Sequence, residues 1–389
     1  MLKLLNKDIN LLLILLTIFL NYIFFIPDNF DLIIKINFIF FIFFSFLSLI
    51  NYENNKCLQI FIFLIILINL GTVTISWDAR SIWIFKAKQI FFENSLLHIK
   101  NNYASFSNLQ YPNIVPAFNA GFAKLIGHWN EIFPKLGNTL ILIPGFIIFS
   151  RNFKNNYFLL SIIFTIFTLG KLLIDGTLDG LLSLYFVSCV LILCRVKGSY
   201  QKNYNYMLLF GFSVILTLLK MEGFFLLISI IISILTLSFI EKKFEITLLY
   251  VFIFSLIPSI LWYIYCYTNL INESENQNIF NLISFYQNIS LFENYLLIFK
   301  YLLLNEKFLL GLLFFTLSIF YTKKEKNNYF NFVILISFIY LIFLFFVYMS
   351  TTLDIEWHLN SSATRVIKPI SLLFFIFSIH NITLNNTKI

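Results

Sequence analysis

The chain has 389 residues; 59% are hydrophobic, only 12% are charged, and the mean hydropathy is +0.86. That balance excludes a soluble domain of this length, and the apolar runs are long enough to span a bilayer. The net charge of +8 is accounted for by loop lysines at a lipid surface, so no nucleic-acid partner is expected. The 51 Phe residues fit the coding bias of an AT-rich genome and are not evidence of an aromatic binding site. Cys57, Cys189, Cys194 and Cys266 are scattered without metal or disulfide spacing.

In chain order, Lys3 and Lys7 precede an apolar run with no small-residue cleavage site, which reads as a first spanning helix rather than a removed signal peptide. Apolar runs follow at 9–26, 32–50, 58–76, 137–150, 157–173, 178–194, 206–221, 223–240, 246–265, 308–321, 329–349 and 367–384. The expected fold class is therefore an all-α polytopic membrane protein with about 12 transmembrane helices. Amphipathic interfacial helices are expected in the first large outer loop. The expected organisation is a single integral-membrane domain over 1–389: three spans in 1–76, the outer loop in 77–127 and the remaining spans in 128–389. Two weaker stretches, Asn113–Gly127 and Tyr295–Leu304, are expected to be interfacial or re-entrant. With a cytoplasmic N-terminus, Arg151, Lys154, Arg195, Lys197, Lys242, Lys323 and Lys324 fall in short inner loops, as the positive-inside bias requires. The charged stretches Trp77–Tyr111, Asp175–Asp179, Lys220–Glu222, Asn269–Glu293 and Asp354–Arg365 then share the opposite, extracytoplasmic face.

The stretch Trp77–Gly121 carries charge and indole rings directly after the third apolar run. On a helix starting at Asp78, the residues Asp78, Ser81, Lys86, Lys88, Gln89 and Glu93 share one arc of about 160°. Ala79, Trp83, Ile84, Ala87, Ile90 and Phe91 share the other arc, with Arg80 as the intruder. Such a helix is expected to lie flat on the membrane. Asp78 at its N-terminal end is favoured as a carboxylate by the helix dipole and is placed to take a proton from an acceptor hydroxyl. Lys86 and Lys88 on the polar face suit a phosphate; the plain alternative is a solvated polar face. Asp175 and Asp179 stand in a turn between spans. Lys220 and Glu222 interrupt an apolar stretch, where charge is costly unless it is partnered; a hairpin tip is the competing account. His358 and Arg365 lie in a late outer stretch, with Arg365 suited to a lipid-linked phosphate.

Taken together, Trp77-Asp78, the lysine-bearing helix, the Tyr111-Pro112 entry to the next helix, Lys220-x-Glu222-Gly223 and the late Arg365 resemble the GT-C superfamily of integral-membrane glycosyltransferases. The similarity is to its bacterial branch of protein mannosyltransferases and aminoarabinose transferases. The resemblance implies inverting transfer of a hexosyl or pentosyl group from a polyprenyl-phosphate donor to a cell-envelope acceptor, lipid, glycan or protein. It places the enzyme in a bacterial inner membrane with an extracytoplasmic active site. It makes Asp78 the catalytic base or acceptor-orienting residue; the residues themselves point to Lys86, Lys88 and Arg365 as donor-phosphate contacts and to Arg80, Tyr111, Asp175, Asp179, Lys220, Glu222 and His358 as substrate-binding or supporting residues. No metal-ligand spacing stands out, and a divalent cofactor is left open. Asp78 is followed by Ala79, where many members of the superfamily carry a second acid, and two spans precede the one leading into the loop. Two rival readings remain. An O-antigen ligase or polymerase would centre on His358 and Arg365, and a lipid or polysaccharide flippase would show inverted repeats and broken midplane helices.

Overall fold

The computed structural model describes residues 2–27, 30–51, 55–74, 76–97, 104, 107–196, 202–242, 245–269, 271, 281–320 and 328–386. Parts of the predicted loops, including Glu273 and Glu275 outside and Lys197, Lys323 and Lys324 inside, lie beyond the described residues. Among the described residues 85% are helical and none is in a strand. The apolar runs leave each helix to satisfy its own backbone, as hydrocarbon surroundings demand.

Helices α1 (Leu2–Phe24), α2 (Asp31–Asn51) and α3 (Asn55–Gly71) are followed by a π-helical turn, Ala79–Ile84, that continues as α4 (Phe85–Glu93). Then come α5 (Ile114–Ile126), α6 (Phe133–Ile141), α7 (Ile143–Asn152), α8 (Asn155–Leu169) and a 3-10 turn, Gly170–Leu173. The second half comprises α9 (Asp179–Val196), α10 (Lys202–Leu219), α11 (Met221–Glu241), α12 (Ile246–Thr268), α13 (Leu282–Ile289) and α14 (Phe292–Leu303). It ends with α15 (Glu306–Phe320), α16 (Asn328–Met349), α17 (Ile355–Val366) and α18 (Lys368–Asn386).

Every predicted apolar run falls on a helix. Eight helical segments among the described residues are long and apolar enough to cross a membrane, and the chain is a multi-pass membrane protein. The expected figure of about 12 is higher because three runs fall on shorter apolar helices, Ile9–Phe24, Lys56–Gly71 and Asn203–Leu219. A fourth belongs to α15, which meets α14 at a bend of 63°. The stretch Asn113–Gly127, expected to be interfacial or re-entrant, is the short helix α5, sunk in the bundle and packed on α1, α2, α4 and α6. Inside protein, a helix of 13 residues needs no bilayer-length apolar run. Its Asn119 donates to Asn138 at 2.8 Å, and its Lys124 pairs with Asp31 at 3.2 Å.

The bundle has two chemically distinct ends. At one, Arg195 Nε donates to Asn152 at 2.8 Å, and Arg151 donates to Asn205 at 3.1 Å. At the other end lie Asp78, Asp179, Lys220 and Arg365, drawn from the starts of α9, α11 and the π turn and from the end of α17. The basic end holds the turn between α7 and α8 and Arg195 of α9, which the charge count assigns to one face; the acid-bearing end holds Asp78, Asp179, Lys220 and Arg365, from stretches assigned to the opposite face.

Candidate functional site

Five separate stretches line one cavity of about 950 Å³ at the acid-bearing end. They are the chain after α3 with the π turn (Thr72–Trp83), Asn108 with Tyr111, the turn before α9 (Lys171–Asp179), the α10–α11 junction (Lys220–Phe225) and the α16–α17 corner (Leu344–Val366). That volume suits a small-molecule ligand. The α10–α11 corner is tight: a Cβ on Gly223 would collide with the carbonyl oxygen of Leu216. The glycine lets the two helices close on each other, which puts Lys220 and Glu222 side by side. Lys220 is thus both a hairpin tip and a buried charge, and the apolar stretch 207–240 is divided here into two helices.

The charges form a chain of contacts. Lys220 Nζ lies 2.9 Å from Asp179 Oδ1 and 3.3 Å from Glu222 Oε1. Arg365 Nη1 lies 3.7 Å from Asp179 Oδ2 and donates directly to Asp78 Oδ2. Asp179 and Glu222 occupy first turns of α9 and α11, where the helix dipole favours a carboxylate. Two buried oxygens, Asp179 Oδ2 and Glu222 Oε2, have no hydrogen-bond donor among the described residues. Asp175 accepts from the Thr177 amide at 2.9 Å and hydroxyl at 2.6 Å. Burial pushes its carboxyl above the ordinary value, opposed by those two bonds. His358 Nδ1 is 3.0 Å from the Thr351 hydroxyl, and its ring meets Tyr348 edge-on at 5.0 Å. Tyr111 stacks on Trp83 at 5.6 Å. Leu344, Val347 and Phe225 give the cavity an apolar wall, and the exposed indoles of Trp77 and Trp357 line it too. Among the described residues, no group of three or more His, Cys, Asp or Glu side chains is arranged to hold a metal ion.

Asp78, Tyr111, Asp175, Asp179, Lys220, Glu222, His358 and Arg365 are therefore gathered at one place. Lys86, Lys88 and Arg80 are not among the cavity-lining residues. Lys88 pairs at the surface with Glu131 at 3.1 Å, and Arg80 is exposed. Lys86 is 0% exposed and donates to the carbonyls of Asn108 at 2.7 Å and Tyr111 at 3.2 Å. The helical-wheel placement of Lys86 fails for a geometric reason. The buried positions 79, 82, 83, 86, 87 and 90 keep helical spacing, so Lys86 belongs to the packed side, at the very edge of the polar arc. It works as a clip that holds the backbone of Asn108 and Tyr111 against α4.

Burial pulls the Lys86 ammonium down to about 7. Between about 7 and the ordinary lysine value, the folded protein binds fewer protons than the unfolded chain. The Lys86 contribution to stability therefore rises with pH across that window. The expected result is that Lys86→Met flattens the rise in melting temperature between pH 7 and 10; an unchanged slope would refute the assignment.

Lys171, not singled out in the sequence, lines the cavity with its side chain exposed. Its carbonyl accepts from the amides of Ile174 and Asp175 at 2.9 Å, while its ammonium has no hydrogen bond or ion pair among the described residues and feels Asp175 electrostatically. A lysine at the end of an apolar run reads as a boundary residue, so only the fold separates it from its neighbours. No family model, curated protein or solved structure matches this chain.

Proposed function

We propose that the protein is an integral-membrane glycosyltransferase of the GT-C type. It transfers a sugar, with inversion, from a polyprenyl-phosphate donor to a cell-envelope acceptor on the extracytoplasmic face of a bacterial inner membrane. The observation that carries this reading is the meeting of Asp78 and Arg365, 287 residues apart, in a cavity that has both an ionic floor and an apolar wall. The apolar wall suits the first units of a polyprenyl chain, and the cations suit the phosphate. The orphaned Asp179 and Glu222 oxygens suit the hydroxyls of a sugar, since buried acceptors normally find a donor.

In this reading Asp78 takes the proton of the acceptor hydroxyl. The acceptor oxygen bonds to the anomeric carbon, and the bond from that carbon to the phosphate oxygen breaks. The electron pair leaves with the lipid phosphate. The incoming phosphate competes for Arg365, which loosens its contact with Asp78 at the moment a base is needed. Lys171 is the second phosphate cation in place of Lys86 and Lys88. Lys171→Ala is expected to raise KM for the lipid donor by about tenfold with kcat little changed, as for a contact made equally in ground and transition states. The ligase-type rival puts the burden on His358 instead. Loss of polymer joining on His358→Asn, with Asp78→Asn active, would favour that rival.

The direct test is purified protein in nanodiscs, offered either a polyprenyl-phosphate sugar or the matching nucleotide sugar. Transfer from the nucleotide sugar alone would overturn the reading. The orientation has its own test in intact cells lacking the four native cysteines. Asn360→Cys, exposed on α17, is expected to react with an impermeant thiol reagent, and Glu241→Cys, at the far end of α11, is not. The reverse pattern would move the site to the cytosol.

A further inference from the structure

The face that α17 turns to the cavity has a composition of its own. Ile355, Leu359, Ala363 and Val366 are buried and repeat at helical spacing, so they form the packed side of the helix. The cavity is lined by Trp357, Ser361 and Arg365, each four residues after the last, and by His358 and Ser362, also four apart. Two adjacent rows thus run along one face of α17. Trp357 is 60% exposed and stands at the mouth, whereas the Arg365 side chain, 27% exposed, meets Asp78 at the inner end. Eight residues of helix separate the two, a rise of about 12 Å. Every cavity-lining position from 357 to 365 is an indole, an imidazole, a hydroxyl or a guanidinium. These groups are fixed by one another. The Ser361 and Ser362 hydroxyls donate to the His358 carbonyl at 2.9 and 2.7 Å, and the Tyr348 hydroxyl lies 2.8 Å from that of Ser362. Thr351 engages His358 Nδ1 at 3.0 Å, and Nε2 has no partner among the described residues.

We propose that this face of α17 is the acceptor subsite and that the acceptor is a carbohydrate chain. A sugar ring has one face of polarised C–H bonds, which packs on the negative face of an indole, and a rim of hydroxyls, which pair with short polar side chains. An exposed ring at the head of two rows of fixed hydrogen-bonding groups matches both. It is poor chemistry for a lipid chain, which finds Phe225, Leu344 and Val347 elsewhere in the cavity. One sugar stacks on Trp357, and the next presents its hydroxyl to Asp78; a rise of about 12 Å holds two linked rings. The inference rests on the sugar-transfer reading for the fate of that hydroxyl, and it narrows the envelope acceptor to a glycan. An indole that merely anchored the protein at the membrane boundary would also be exposed, and binding separates the two cases.

Binding is read without any donor, on the full chain in nanodiscs, by saturation-transfer NMR with maltotriose, chitotriose and mannotriose as probes. At least one trisaccharide is expected to bind, about three- to tenfold more weakly in Trp357→Ala and with full affinity in Trp357→Phe. Trp129→Ala, at an indole that is not among the cavity-lining residues, is expected to bind as the unaltered protein does. The melting temperature of Trp357→Ala is expected to hold, because the ring is largely exposed. Where it does not, Ser361→Ala serves instead: a several-fold loss of binding supports the subsite and no loss refutes it. Failure of all three trisaccharides to bind, or equal binding in Trp357→Ala, would overturn the subsite; the second is the result for a plain anchor. Transfer from the lipid donor to a serine-containing peptide, with none to the trisaccharides, would overturn the carbohydrate assignment. Binding that depends on Trp357, in a preparation that transfers nothing from a lipid donor, would keep the glycan site and strike the catalytic reading alone.

Discussion

Asp179→Ala is expected to destabilise the protein by about 3–5 kcal/mol, the range for leaving one partner of a buried ion pair behind. The side chains of Asp179 and Lys220 are 3% and 7% exposed, so little solvent screens the 2.9 Å contact. Removal of Asp179 leaves Lys220 with Glu222 alone and takes from Arg365 its second carboxylate. Lys220→Ala is expected to cost a similar amount, and the two losses together are expected to be well below additive, because they break one network. The apolar pair Asp179→Leu/Lys220→Met separates stability from function. Replacement of a buried ion pair by packed apolar groups is often neutral or stabilising, so this variant is expected to melt near the unaltered protein and yet be inactive. Thermal unfolding in nanodiscs, paired with the lipid-donor assay, reads both quantities. A melting point unchanged by Asp179→Ala would mean that the network contributes nothing to the fold.

Asp78→Asn is the second large effect. The substitution keeps the size and hydrogen-bonding reach of the side chain but removes its ability to take a proton. On the proposed mechanism kcat falls by about 10²–10⁴-fold, the usual contribution of a general base, with donor KM little changed. Arg365 keeps Asp179 as a partner, so expression and membrane insertion are expected to be intact. A purified Asn variant that transferred sugar at close to the original rate would remove Asp78 from the chemistry. Glu222→Gln then becomes the informative variant, since its Oε2 is also a buried oxygen without a donor.

The bilayer class and the helix positions were legible in the residues themselves. Hydrocarbon surroundings impose both backbone satisfaction and a minimum apolar length, so each run of Phe, Ile and Leu had to be a helix. The same logic pointed to Lys220 and Glu222, because charge inside an apolar stretch requires partners. Pattern alone could not say which charges would meet. Asp78 and Arg365 have no local relation; only the packing of the π turn against the end of α17 joins them. Asn113–Gly127 read as interfacial or re-entrant because it is short and broken by polar residues, and partners such as Asn138 and Asp31 allow it to be buried.

The lysines draw the line most clearly. From its sequence, the chain determined that cations would crowd the membrane boundary, since lysine stems suit an apolar surface and their heads suit water. Tertiary structure alone decided their use. Lys88 went to an exposed pair, Lys86 to a buried clip and Lys171 to the cavity, while Lys307 went to the carbonyls at the end of α8. The reason is physical: a helical wheel gives the direction in which a side chain leaves its own helix, whereas its environment is set by whichever other helix packs there.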